Sequence, residues 1–80
     1  MEEKIAVVAI IVNDYENVEN VNSLLHEYRD NIMGRLGLPI KEKGISVISV
    51  VMHASPETIN GLSGKLGMLN GVSSKVLTTK

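Results

Sequence analysis

Residues 5–12 read Ile-Ala-Val-Val-Ala-Ile-Ile-Val, and residues 45–52 read Ile-Ser-Val-Ile-Ser-Val-Val-Met. Both stretches are short, apolar and rich in β-branched residues, which is typical of strands buried on both faces. Each is followed by a segment in which apolar residues recur at a helical spacing. The two stretches therefore predict the central strands of a sheet, and the rest of the chain is arranged around them.

The segment after the first stretch predicts a helix over residues 17–30. Its apolar stripe begins at Val18 and keeps a period of about 3.6 residues per turn. Asp14 or Asn17 can cap the start, since short polar side chains accept hydrogen bonds from the first free amides of a helix. A first helix therefore connects the first apolar stretch to the middle of the chain.

A second helix follows the second apolar stretch and has a sharper beginning. Ser55 suits the N-cap, and Pro56 suits the first helical position, where a missing N–H costs nothing. The helix is predicted to end near Gly67 or at residues 70–71, where glycine can adopt the left-handed cap. The chain then offers a last strand over residues 72–79, with many polar positions.

Residues 32–36 predict a short, weak strand, and residues 37–44 predict a loop because they hold Gly37, Pro39 and Gly44. The order strand, helix, strand, strand, helix, strand is the ferredoxin-like βαββαβ pattern. We therefore predict one α+β domain over residues 1–80. It is a two-layer sandwich of an antiparallel four-stranded sheet with two helices on one face, the apolar strands lying in the centre.

The central strands are apolar at both odd and even positions, although two helices can cover only one face of a sheet. The other face would expose several hundred Å² of apolar surface, which usually marks an interface. The sequence therefore predicts a homo-oligomer, a dimer or tetramer. The alternative is a monomer in which the loop over residues 37–44 covers this face. The predicted interface residues are Val8, Ile10, Val12, Ile48, Val50, Met52 and, on the second helix, Met68.

Composition excludes several classes of function. The formal charge is −1, with 8 basic and 9 acidic residues, so no basic surface for nucleic acid is expected. The longest apolar run is too short to span a bilayer, and the first residues lack a basic secretory start. The chain holds no nucleophile, metalloprotease or phosphate-loop motif. We expect a cytoplasmic protein that is not an enzyme and has neither a cofactor nor a membrane or nucleic-acid partner.

Three features suggest a small-molecule ligand. The turn after the first strand offers backbone amides and polar side chains. Arg35 with Lys41 and Lys43 could bind a carboxylate or phosphate. Two glycines open one side of the second helix. Each feature also has an explanation without a ligand. The turn can simply cap the helix, the basic residues can lie in a solvated loop, and the glycines can belong to a frayed helix. The predicted ligand-binding residues are Asn13, Asp14, Asn17, Arg35, Gly61 and Gly64.

Metal binding has little support in the sequence. The chain has no cysteine, and its two histidines show no ligand spacing. His53 lies at the end of the second apolar stretch, where copies could meet in a symmetric oligomer. It is therefore the one weak candidate for a metal ligand, and no metal site is predicted.

Three segments resemble a known family. Residues 34–39 read Gly-Arg-Leu-Gly-Leu-Pro, residues 41–49 read Lys-Glu-Lys-Gly-Ile-Ser-Val-Ile-Ser, and residues 62–67 read Leu-Ser-Gly-Lys-Leu-Gly. In these segments the chain resembles the iron-only hydrogenase system regulators. The resemblance implies an ACT-like ferredoxin fold, similar to the C-terminal domain of the nickel-responsive regulator NikR, and a regulatory role.

The expected function is accordingly a homo-oligomeric regulatory domain that binds a small ligand at subunit interfaces. The alternative is a structural or adaptor protein that binds another protein and no small molecule.

Overall fold

The computed structural model describes residues 2–79. Three single 3₁₀ turns, at Tyr15–Asn17, Arg29–Asn31 and Lys41–Lys43, lie between the main elements. No helix among these residues is long and apolar enough to cross a bilayer. The main elements are β1 (Lys4–Val12), α1 (Val18–Glu27), β2 (Ile32–Ile40), β3 (Ile45–Ala54), α2 (Pro56–Gly67) and β4 (Val72–Thr78).

The four strands form one antiparallel sheet in the order β2-β3-β1-β4. This order and the βαββαβ sequence of elements confirm the predicted ferredoxin-like fold. The two apolar stretches occupy the centre, where each strand is hydrogen-bonded to a neighbour on both of its edges. The weak second strand and the polar last strand are the edges, as the sequence predicts.

Both helices pack on the same face of the sheet, here called the inner face. Val21 and Leu25 of α1 and Ile59, Leu62 and Leu66 of α2 are almost fully buried there. The strand residues in this core alternate with residues of the opposite face. They are Ala6, Val8, Ile10, Val12, Ile48, Val50, Met52 and Ala54.

This placement corrects the predicted interface. All six strand residues assigned to it belong to the inner face, where the helices of the same chain cover them. Alternation divides the strand residues into two sets but does not say which set faces the helices. The assignment is wrong for Val8, Ile10, Val12, Ile48, Val50 and Met52.

The second strand is longer than predicted. It runs from Ile32 to Ile40 and includes Pro39, so the predicted loop is wrong for residues 37–40. Proline is tolerated because β2 is an edge strand, whose outward N–H groups have no ladder partner to lose. Only the 3₁₀ turn Lys41–Lys43 and Gly44, at φ 68°, connect β2 to β3.

Capping side chains and a proline determine where the helical segments begin. Ser55 caps α2, since its side chain accepts a hydrogen bond from the Thr58 amide at 3.2 Å, and Pro56 opens the helix. Helix α1 is shorter than the predicted residues 17–30. Its flanking turns are 3₁₀, and Asp14 caps the first of them by accepting from the Glu16 amide at 2.9 Å.

Candidate functional site

The face of the sheet opposite the helices, here called the outer face, carries apolar side chains that nothing in the chain covers. Val7 in the central strand is 39% exposed, Leu36 on β2 is 71% exposed and Leu77 on β4 is 75% exposed. Strand pairing places Val7 between Val51 and Leu77. The apolar members of the outer face are Ile5, Val7, Ala9, Ile11, Leu36, Leu38, Ile40, Ile45, Val47, Val51 and Leu77.

Polar groups on the outer face lie on two strands, Ser49 and His53 on β3 and Ser73 and Lys75 on β4. Lys75 pairs in register with Ala9, and Ser73 pairs with Ile11. Together with Ser74 they line a shallow depression of about 290 Å³. The outer face is therefore mainly apolar, with polar side chains on β3 and β4.

A groove lies between α1 and β2 on the inner side of the sheet. It exists because the helices cover the centre of the sheet and leave the edge strand β2 exposed along its length. Two adjoining clefts, of about 230 and 320 Å³, share Asn22 and Arg35 as lining residues. The Arg35 guanidinium donates to Asn22 Oδ1 at 2.8 Å and so lies where the two clefts meet.

Arg35 is the one predicted ligand residue that lines this groove. The sequence analysis grouped it with Lys41 and Lys43, but its neighbours in the groove are Asn22 and His26 of α1 and Arg29 of the 3₁₀ turn that follows α1. The signal was present in the sequence, because positions 22, 26 and 29 share one side of a helical turn.

The polar groups of the turn after β1 form hydrogen bonds with other groups of the same chain. Asn13 N donates to the Gly71 carbonyl at 2.6 Å, and the Asn17 amide donates to the Asn70 carbonyl. Asp14 already caps the 3₁₀ turn, and a Cβ on Gly71 (φ 73°) would lie 2.9 Å from Asp14 Cβ. Asn13, Asp14 and Asn17 thus fasten β1 to the connection before β4, and their ligand-binding role stays a prediction.

Gly61 has a partner in its own chain. A Cβ at this position would lie 3.2 Å from the Tyr28 hydroxyl, so the glycine lets Tyr28 pack against α2. Lys65 Nζ lies 5.3 Å from the Tyr28 ring centroid and 3.6 Å from Glu27 Oε1. Interaction with the Tyr28 hydroxyl, and then with Glu27, raises the pKa of Lys65 above its ordinary value. These contacts join the end of α1 to α2.

Gly64 has no such neighbour, and replacing it tests what the position does. Because no atom lies within 4 Å of a Cβ built there, Gly64→Ala should raise the free energy of unfolding by about 1 kcal/mol, the usual helix-propensity difference. Urea denaturation measures the change. Gly61→Ala is the matched control and should gain less, since its Cβ meets Tyr28. A Gly64→Ala protein that is less stable than the wild type would show that another molecule packs on this glycine.

His53 lies at the end of β3 with its side chain half exposed. Its Nε2 is 3.5 Å from Glu3 Oε1, an exposed pair of the kind that contributes little to stability. Within residues 2–79, no three histidine or carboxylate side chains come together as a potential metal site.

Comparison with known proteins identifies the family. The profile of the TM1266-like family, described as "Iron-only hydrogenase system regulator, putative", matches residues 4–76. A solved structure, that of the uncharacterized protein TM1266 from Thermotoga maritima, has 36% sequence identity and a TM-score of 0.93. The match covers 99% of this chain and 100% of that one. A search of curated proteins finds no match. The predicted likeness to the nickel-responsive regulator stays a prediction. The family is shown: the chain belongs to the TM1266-like family.

Proposed function

We propose that this protein is a homo-oligomeric regulatory domain of an iron-only hydrogenase system. Its copies associate through their outer faces and bind a small ligand in the groove between α1 and β2. The observation that carries the proposal is the uncovered apolar outer face, on which Val7, Leu36 and Leu77 are exposed. Family membership supports the regulatory role.

The size of the outer face fits an interface between two copies. Strands lie about 4.8 Å apart with a rise of about 3.3 Å per residue, so four strands of this length give a footprint of roughly 500 Å². Two such faces supply about 1,000 Å², the lower limit for a specific interface. A second copy also offers a matching surface, since twisted sheets of one hand pack face to face.

Strand β2 provides a link between ligand and assembly. Arg35 belongs to its inner side and lines the groove, whereas Leu36 and Leu38 belong to its outer side. Neither side of β2 is buried within the chain. A ligand that fixes Arg35 therefore also fixes the two leucines, and its binding free energy is coupled to association of the outer faces.

Sedimentation equilibrium over a concentration series tests the assembly. We expect a mass that is a multiple of the 8.7 kDa chain, stable to dilution into the micromolar range. A single 8.7 kDa species at high concentration would refute the oligomer. The regulatory part is tested in the organism that carries the gene: deletion should change the amount or activity of its iron-only hydrogenase, and unchanged levels under all growth conditions would contradict it.

A second candidate is an adaptor that binds another protein. Met68 favours it, because this side chain at the C-cap of α2 is 84% exposed. Met68 is also the remaining member of the predicted interface, and in a tetramer it would contribute a second contact between dimers. Loss of partner binding in Met68→Lys, with the oligomer intact, would support the adaptor.

A further inference from the structure

The smaller cleft of the groove contains an unusual concentration of positive charge. The chain has two arginines, Arg29 and Arg35, and both line this cleft together with His26. They approach from different elements, since Arg29 follows α1 and Arg35 lies on β2. In a protein whose formal charge is −1, the fold has thus brought both guanidinium groups to one place.

The two guanidinium groups are held by neutral acceptors. Arg29 Nη1 donates to the His26 carbonyl at 2.9 Å, and Arg35 Nη2 donates to Asn22 Oδ1 at 2.8 Å. No carboxylate lines the cleft, and within residues 2–79 neither arginine forms an ion pair. Each group is therefore oriented by one hydrogen bond and keeps other N–H donors, and its full charge, for a ligand.

The charged cleft adjoins an apolar region of the groove. Leu25 and Ile32 line the charged cleft, while the larger cleft beyond Arg35 is lined mainly by apolar and uncharged groups. Those lining residues are Tyr15, Val18, Gly37, Leu38, Pro39, Ser46 and Ile48. A ligand that matches both clefts has an anionic end and a compact apolar or aromatic body.

We propose that the groove binds a small organic anion whose carboxylate or phosphate lies between Arg29 and Arg35 and whose apolar body lies over Val18 and Pro39. Arginine suits this role because its planar fork donates two parallel hydrogen bonds to such groups. The inference deepens the proposed function by naming the ligand class of its groove. It does not depend on the oligomer, since every lining residue belongs to one chain.

Amide chemical shifts measured during titration of the full chain test the proposal with four probes. Phenyl phosphate and benzoate carry both the anion and the ring, inorganic phosphate carries the anion alone, and benzyl alcohol carries the ring alone. We expect inorganic phosphate to shift residues around 22–35, and the aromatic anions to bind more tightly and to shift Tyr15 and Leu38 as well. Whichever of phenyl phosphate and benzoate binds with the higher affinity identifies the anionic group that the groove prefers. Benzyl alcohol should bind least.

Variants locate the site. Arg35→Gln and Arg29→Gln should each weaken binding of the tighter aromatic anion about tenfold or more, as expected for lost hydrogen bonds to a charged group. Arg35→Lys should recover part of the affinity, because it restores the charge without the fork. Lys43→Gln removes the same charge outside the groove and should bind normally. Equal binding by Arg35→Gln and the wild type, or an equal loss in Lys43→Gln, would overturn the proposal.

The same samples separate this inference from the proposed function. Anion binding by a protein that sediments as a monomer would support the site and refute the oligomer. An oligomer that binds none of the anions would refute the site and leave the assembly standing.

Discussion

Val7→Lys should convert the proposed oligomer into a folded monomer. Val7 lies in the middle of the outer face and is 39% exposed in the single chain, so a lysine there can keep its ammonium group in water when the chain is alone. In the assembly the same group would be buried without a partner, and symmetry would bring two like charges together, at a cost of several kcal/mol. We expect at least a hundredfold weaker association by sedimentation, with an unchanged circular dichroism spectrum.

Met68→Lys is the matched control, since it places the same charge on an exposed apolar position of the helix layer. Contact through the outer faces should survive this change, while any contact between dimers through α2 should be lost. If Met68→Lys yields the monomer and Val7→Lys does not, the copies associate through α2 and the proposed interface is wrong.

Leu62→Ala should destabilise the fold more than any surface change. Leu62 is fully buried between α2 and the inner face, and truncating a buried leucine removes apolar contacts and leaves a cavity. Such changes cost about 2–5 kcal/mol. A domain of this size has a core contributing only about 3–5 kcal/mol, so the variant should be largely unfolded at room temperature unless assembly supports it.

Leu36→Ala provides the comparison, because the same atoms are removed from a side chain that is 71% exposed. Urea denaturation at low protein concentration should show a change within about 0.5 kcal/mol for this variant. Its effect should appear instead in the association constant, since Leu36 lies on the outer face. A large loss of monomer stability in Leu36→Ala would contradict the division of the sheet into a covered and an uncovered face.

The candidate site could be predicted only in part. Arg35 lines the groove as a ligand residue should, but its neighbours are Asn22 and Arg29 rather than the lysines that follow it in the chain. Spacing along α1 shows which of its residues share a side, yet nothing in that spacing says that β2 will lie beside it. The pairing depends on where the helix crosses the sheet, which is decided by packing of the whole core.

The number of strands and helices, their order and the existence of two apolar sheet faces follow from the sequence alone, whereas the full lengths of β2 and α1 do not. These features depend on local periodicity and on capping groups such as Ser55, which act within a few residues. Tertiary structure decided which face the helices cover, and so moved the predicted interface from residues such as Val8 to residues such as Val7. The physical reason is that the two faces of β1 are almost equally apolar, so only the side from which the helices pack distinguishes them.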